Sequence, residues 1–269
     1  MPGVTGHLYV HHGDGVEFIR NEAGRFDLIY LDPARRSGAS KRLYDIADCE
    51  PNLLEIKDLL LHKSGRVLVK ISPMADISRT LAQLPETKEL HVVEASGEVK
   101  ELLLLMEAPA APAEPVIHAY DGTDTFVFTP SEETAAEVRY ASEVGRFLFQ
   151  ASKAVRKAGA FRLVSERFNL AKLAPSTHLY TSDAPCEAFP GKTFEVQEIV
   201  PWSKEALRTL ARRYPRLEMT ALNFPLDTDE LRRRSGIAGG GGPHLFATTL
   251  SDKSKILIIC KPCAKTTPK

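Results

Sequence analysis

The sequence is poor in cysteine and carries no net charge, and each shortage excludes a class of protein. Four cysteines in 269 residues are too few for a disulfide framework, so a reducing cytoplasm is the expected compartment. Lysine and arginine together number 35, as do aspartate and glutamate, which argues against a protein that coats nucleic acid without specificity. No apolar run approaches the roughly 18 residues that cross a bilayer, and residues 1–4 show no signal-peptide pattern. We therefore expect no membrane partner.

Charge is nevertheless uneven along the chain. From Glu195 onward, 13 lysines and arginines stand against 8 acids, a net charge of +5 that leaves −5 for the rest. A basic segment of this kind suits a module that contacts RNA, although solvated helix surfaces explain it about as well. The run Arg232-Arg233-Arg234 lies in this segment on a short predicted helix, and the same two interpretations apply to it.

The first half of the chain alternates strands with helices, which is typical of βαβ units and a parallel sheet. Strands are predicted at 7–11, 27–31 and 66–71, with helices at 47–62 and 78–84. Two further strands, 90–95 and 99–106 around Ser96-Gly97, form a hairpin that closes the sheet in antiparallel fashion. A last strand is predicted at 125–129, before a domain boundary at 130–133.

The second half has a different pattern. A helix is predicted at 153–168, with Gly159 inside it, followed by an extended segment at 177–182. The remaining elements are predicted in the order β-α-β-α-β-β, at 194–200, 203–214, 217–224, 228–235, 245–250 and 256–260. Ser203 is a suitable N-cap for the first of these helices. This order is the layout of a small α+β sandwich of ferredoxin-like type.

Polar residues follow three consecutive apolar strands of the first half, and we interpret them as one site. The most informative stretch is Asp32-Pro33-Ala34-Arg35-Arg36, directly after the apolar run 28–31. Because the carboxyl ends of parallel strands meet at one edge of a sheet, we expect a shared crevice there. Its predicted lining residues are Asp14, Asp32, Arg35, Lys70 and Ser72. The alternative is a plain strand-to-loop turn with surface arginines.

These segments resemble the class I S-adenosylmethionine-dependent methyltransferases. The region of the third and fourth strands of that fold is similar to three consecutive features of this chain. These are the Gly13-Asp14 pair, the short helix after it and residues 26–33. Residues 31–36, 70–74 and 99–102 resemble more narrowly the methyltransferases with a C-terminal THUMP-like domain. The segments 156–161, 179–182, 223–226 and 258–262 extend this resemblance nearly to the end of the chain.

The resemblance implies a fold and its domains. The expected class is α/β, a partial Rossmann-like methyltransferase sheet with a closing antiparallel hairpin, followed by a small α+β ferredoxin-like or THUMP-like module. The expected domains are the methyltransferase part at 1–130, a connecting segment at 131–194 and the THUMP-like domain at 195–269.

The resemblance also implies roles for particular residues. Asp14 would accept a hydrogen bond from the adenine amino group of S-adenosylmethionine. Asp32 and Pro33 would stand where amino-methylating members hold the target amine, with Arg35 and Lys70 beside them in the catalytic set. The implied substrate is structured RNA, because a guanidinium can stack on a base or bind phosphate. The residues assigned to substrate binding are Arg36, Ser72, Lys100, Arg232, Arg233 and Arg234.

The chain departs from this family in two ways. Ala34 and Arg35 replace a proline and an aromatic residue of the amine-positioning motif. No glycine-rich turn precedes Gly13, and the run Gly239–Gly242 follows a helix too late in the chain to hold a cofactor in that sheet. We therefore expect the chain to be the C-terminal part of a longer protein and to bind S-adenosylmethionine poorly alone. The alternative function is a non-catalytic scaffold that binds RNA or protein through a degenerate methyltransferase fold.

Two short motifs have the spacing or composition of metal ligands, but another interpretation is favoured for each. Cys260-Lys261-Pro262-Cys263 has the spacing of metal ligands, but no second pair accompanies it, so a strand end is the favoured interpretation. His11-His12 fits one inward and one outward residue of a strand better than a ligand pair. We predict no metal site.

Overall fold

The structure is a computed structural model that describes residues 7–35, 46–108, 113–122 and 124–264. It divides into two compact units. The first comprises residues 1–90 and 101–115, and the second comprises residues 91–100 and 116–269. None of the helices in the described part of the chain has the length and apolar character that a bilayer crossing requires.

The first unit is built on the parallel pairing of two strands. Its elements are α1 (Gly15–Asn21), β1 (Ile29–Leu31), β2 (Ala34–Arg35), a 3₁₀ turn (Ile46–Asp48), β3 (Cys49–Glu50), α2 (Leu53–Lys63), β4 (Arg66–Ile71), α3 (Ile77–Gln83), the start of β5 (Thr87–Ala95) and most of β6 (Glu98–Glu107). Strand β1 is parallel to β4, and β4 is antiparallel to β6. Alternate residues of β4, Val67 and Val69, are fully buried, as is Leu60 of α2. Because successive side chains of a strand point to opposite faces, Arg66 and Lys70 lie on the face of β4 opposite these valines.

Three predictions for this unit are wrong in detail. Residues 7–11 form no strand, and Leu8, Tyr9 and Val10 are 87–88% exposed. An apolar run becomes a strand only where a neighbour accepts its backbone hydrogen bonds, and no described segment does so here. The helix predicted from residue 47 begins only at Leu53, where the Asn52 side chain caps it. The loop expected after Asp32 contains the short strand β2, which pairs with β3.

The second unit contains a seven-stranded sheet in its described part. Its elements are β7 (Val116–Tyr120), β8 (Thr125–Phe128), α4 (Pro130–Ala135), β9 (Phe147–Ala151), α5 (Lys153–Ala158), α6 (Arg162–Arg167), β10 (Ala171–Ala174), β11 (Thr177–Ser182), β12 (Gly191–Pro201), α7 (Lys204–Arg213), β13 (Glu218–Leu222), α8 (Thr228–Ser235), β14 (His244–Thr249) and β15 (Lys255–Pro262). The strand order is β10-β11-β9-β12-β15-β14-β13, and only β13 and β14 are parallel. The predicted order β-α-β-α-β-β is confirmed from β12 to β15.

Both faces of the β14–β15 hairpin are covered. Helices α7 and α8 pack Leu207 and Leu231 against Leu245 and Leu257 on one face. The residues that alternate with these on β14 and β15 point to the other face, where they form a cluster with β9, β10, β11 and β12. Ser203 caps α7 as predicted, since its hydroxyl accepts a hydrogen bond from the Ala206 amide at 2.9 Å. A strand buried on both faces is nearly continuous in apolar residues.

The single helix predicted at 153–168 is wrong. The chain forms α5 and α6 instead, and Gly159 separates them with a φ of +88°. A left-handed residue ends a helix, and glycine adopts that conformation without the strain that a Cβ would add.

The second unit should lose stability in mild acid because of two histidines. Burial lowers the pKa of His244 to about 4, helped by the charge of Lys192, and burial lowers that of His178 to about 4, helped by Lys172 and Arg156. Between pH 6.5 and 4 the unfolded chain takes up protons that the folded unit excludes. The free energy of unfolding should therefore fall as pH falls through this window, by about 1 to 2 kcal/mol for His244.

The fluorescence of Trp202, the single tryptophan, reports unfolding of this unit because its ring packs edge-on against Phe224. Urea titrations at several pH values should show a shallower acid loss for His244→Gln, which keeps a partner for Thr220. An unchanged pH dependence in that variant would contradict the assignment to His244.

Candidate functional site

Asp32 and Lys70 meet at the carboxyl ends of two parallel strands. Tyr30 of β1 lies opposite Leu68 of β4, so two residues further along each strand Asp32 comes beside Lys70 on the same face. The Lys70 Nζ lies 2.6 Å from the Asp32 Oδ2, with 32% and 48% of the two side chains exposed. The predicted juxtaposition of these two residues is thus present, at the strand edge where α/β sheets bind ligands.

The surroundings keep Lys70 charged. The hydrogen bond to Asp32 raises the pKa of the Lys70 ammonium above its ordinary value of 10.5, against an opposing effect of burial, and the charge of Asp32, followed by Tyr30 and Glu101, raises it further. Lys70 is therefore a cation at neutral pH and cannot serve as a general base. Sequence analysis missed Glu101 and Tyr30. The antiparallel return of β6, which places Leu102 opposite Ile71, is the signal that could have found Glu101.

Asp14 occupies a cavity of its own. It caps α1, and its Oδ1 accepts hydrogen bonds from the amides of Val16 and Glu17 at 2.7 and 3.1 Å. The cavity of about 390 Å³ is lined by His11, Gly13, Asp14, Glu17, Phe18, Asn21 and Glu22. Neither Asp32 nor Lys70 belongs to this lining, and the shared crevice stays a prediction. The Asp14 Oδ2 meets no donor among the described residues and is open to an amino group.

The other residues of the two strand ends have local structural roles. Pro33 is half-buried, and the backbone of Arg35 pairs with Cys49 across β2 and β3. The Ser72 hydroxyl accepts a hydrogen bond from the Met74 amide at 3.2 Å, which closes the turn after β4. Arg36 lies outside the described residues.

The remaining predicted substrate contacts belong to the second unit. Lys100 pairs with Glu98 at 2.7 Å beside the hairpin turn. On α8, Arg232 approaches Glu218 at 4.0 Å, Arg233 is 78% exposed and lies 4.0 Å from Glu230, and Arg234 pairs closely with Glu230. Only Arg233 of the three arginines is mainly solvated.

The cysteine pair near the C-terminus does not have the character of a metal site. Cys260 is fully buried on β15, and burial raises the pKa of its thiol to about 12. Metals bind the thiolate, so this environment opposes coordination. The absence of a metal elsewhere in the chain stays a prediction.

The Asp32–Lys70 pair should contribute little to stability. Exposed ion pairs contribute little to stability, so Lys70→Gln should leave the free energy of local unfolding around β4 nearly unchanged. Hydrogen exchange of the β4 amides measures this value in the first unit.

Lys57 offers a matched control in the same unit. It pairs with Glu86, and these side chains are only 20% and 14% exposed. Lys57→Gln strands a largely buried carboxylate and should cost about 2 to 4 kcal/mol. If both variants lost the same free energy of unfolding, Lys70 and Asp32 would form a structural ion pair rather than a functional site.

Comparisons with known proteins cover most of the chain. Residues 147–190 match the model of a ferredoxin-like domain, and residues 191–262 match that of a THUMP domain-like family. A crystal structure of a "putative methyltransferase" from Porphyromonas gingivalis W83 shares 42% sequence identity with a TM-score of 0.82, over 88% of this chain and 60% of that one. The chain thus spans about 60% of the length of that protein. No curated protein matches.

These matches confirm the mixed α/β class, with ferredoxin-like and THUMP-like domains in the C-terminal half. The chain carries a THUMP-like domain and is similar to a protein described as a putative methyltransferase, in agreement with the resemblance that its motifs indicated.

Proposed function

We propose that this chain takes part in the transfer of a methyl group from S-adenosylmethionine to RNA. The observation that carries the proposal is the Asp32–Lys70 pair at the ends of β1 and β4, with Pro33 directly after the carboxylate. The similarity to a methyltransferase of Porphyromonas gingivalis supports the reaction class, and the THUMP-like domain supports an RNA substrate.

The residues present fit part of the cofactor. The open Oδ2 of Asp14, in a cavity beside the tilted ring pair of His11 and Phe18, would accept a hydrogen bond from the adenine amino group. When bound, S-adenosylmethionine supplies an electrophilic methyl group on a sulfonium. Asp14 would hold the base of the cofactor and take no part in the bond changes.

Asp32 and Pro33 would place the nucleophile. The carboxylate and the proline carbonyl accept hydrogen bonds from a target amine, which leaves the nitrogen lone pair directed at the methyl carbon. When bound, S-adenosylmethionine would supply the methyl group that the nitrogen takes up, and the surplus proton on the nitrogen would pass to solvent or to Asp32. Such a displacement depends on placement more than on proton transfer, since the leaving thioether is neutral.

Lys70 would have two roles: it would orient the Asp32 carboxylate and it would bind a phosphate of the RNA. Its ammonium holds the Asp32 carboxylate in one orientation through a charge-assisted hydrogen bond. Arg35, Arg36 and Ser72 follow Asp32 and Lys70 along the chain, and we propose them as further contacts to the RNA backbone. Lys100 and Arg232–Arg234 are proposed RNA contacts of the second unit. We place this activity in the cytoplasm, where the thiols stay reduced.

A non-catalytic scaffold is the second candidate. It is favoured by one observation, that neither Asp32 nor Lys70 lines the cavity that holds Asp14. A protein of this kind would bind RNA or a protein partner without turnover.

The catalytic proposal makes a direct prediction for Asp32. With tritium-labelled S-adenosylmethionine and transcribed structured RNA, Asp32→Ala should lower methyl transfer about 100-fold because the target amine loses its orientation. Asp58→Ala removes the same charge from an exposed position on α2 and should leave the rate unchanged.

RNA binding, measured separately by filter retention, should be the same for both aspartate variants. RNA retention with neither cofactor binding in calorimetry nor methyl transfer, by this chain and also by a longer form of the protein, would support the scaffold and overturn the catalytic proposal. Equal transfer by wild type and Asp32→Ala would remove Asp32 from the mechanism.

A further inference from the structure

A cleft in the THUMP-like domain lies between the end of α7 and the glycine run. It has a volume of about 450 Å³ and is lined by Arg213, Tyr214, Pro215, Arg216, Gly240, Gly241 and Gly242. The lining contains two arginines and a tyrosine but no carboxylate. None of these residues is among those assigned above to methyl transfer or to substrate binding.

The glycine run presents unpaired backbone donors to this cleft. Gly240, Gly241 and Gly242 have φ values of +86°, +72° and +75°, so three successive residues adopt a conformation that side chains disfavour. Among the described residues, their amide N–H groups meet no acceptor. Backbone amides that line a concave surface are suited to an anion.

Arg216 makes no ion pair within the part of the chain that the structure describes, although the Glu218 Oε1 lies near Gly240, 3.9 Å from the position that a Cβ would take there. The Arg216 Nη2 donates to the carbonyl of Gly239 at 3.2 Å, beside the three unpaired amides. Arg213, by contrast, is held by both carboxylate oxygens of Glu198, at 2.9 and 2.8 Å. The free positive charge therefore lies on the side of the cleft formed by the glycines.

Tyr214 adds an aromatic ring in a fixed position. The guanidinium of Arg213 lies 5.3 Å from the ring centroid, and Arg213 is itself fixed by Glu198. The ring also packs against the core beneath α7 and α8. Base stacking on a preordered aromatic ring is sequence-tolerant, because every base has a π-face.

We infer that this cleft binds single-stranded RNA, with a backbone phosphate at Arg216 and the glycine amides and one unpaired base against Tyr214. A phosphate next to a planar base is the repeating chemistry of a nucleic acid strand, and the cleft offers a recognition group for each. The inference rests on the proposed function in taking RNA as the substrate, and it names the form of RNA and the site that holds it.

Fluorescence anisotropy of a labelled single-stranded RNA of about 12 nucleotides tests the inference. Arg216→Gln should weaken binding about five- to tenfold at low salt and reduce the salt dependence by about 0.7 in the slope of log affinity against log salt. Tyr214→Leu should weaken binding at least about fivefold, whereas Tyr214→Phe keeps the ring and should bind like the wild type. Trp202 fluorescence verifies that each variant is folded.

Arg208→Gln is the matched control, since it removes an exposed arginine of α7 that does not line the cleft. Equal weakening by Arg208→Gln and Arg216→Gln would overturn the inference in favour of diffuse electrostatic attraction. If Arg216→Gln and Tyr214→Leu both bound the RNA with wild-type affinity and methyl transfer were intact, the cleft would not be the RNA site. The proposed function would then be unaffected. Loss of RNA binding in those two variants would support the cleft, and it would do so even if neither this chain nor a longer form transferred a methyl group, a result that would overturn only the catalytic proposal.

Discussion

Strand β12 is the element on which the second unit depends. Its first residues pair with β9 of the ferredoxin-like domain and its later residues pair with β15, so that this strand of 11 residues joins the THUMP-like domain to the ferredoxin-like domain in one sheet. At the start of this strand only glycine fits, because a Cβ on Gly191 would lie 2.2 Å from the carbonyl oxygen of Gln150. The boundary between the two domain families therefore falls within a continuous sheet, and the domains share backbone hydrogen bonds rather than a linker.

In the first unit, the corresponding constraint is the register of β1 against β4. Tyr30 opposite Leu68 fixes Asp32 beside Lys70, and a slip by one residue would send the carboxylate to the other face. The resulting pair is partly exposed, and exposed ion pairs contribute little to folding. The two proposed roles consequently lie in different units, with the methyl-transfer residues near β1 and β4 and the RNA cleft beside α7.

The alternation of apolar and polar residues, together with a helix-capping serine, made the second half of the chain predictable. The six elements from β12 to β15 follow from apolar periodicity, the Ser203 cap and the turns between them. The one large error, the joining of α5 and α6, came from weighing helix periodicity above Gly159, whose left-handed φ the sequence did not reveal. In the first half, an apolar run at 7–11 was predicted as a strand, although a strand also requires a partner that local sequence does not specify.

In the candidate site, too, some features were predictable from the sequence and others were not. By itself, the sequence determined that an acid, a proline and a lysine follow apolar strands, because buried strands and polar strand ends leave a visible pattern. It also determined the family resemblance that the comparisons confirm. Only the tertiary structure decided that Lys70 reaches Asp32, that Asp14 lies in a separate cavity, and that Arg216, Tyr214 and the glycine run surround one cleft. Those contacts join residues distant in sequence, and they depend on strand register and helix packing, which no local pattern encodes.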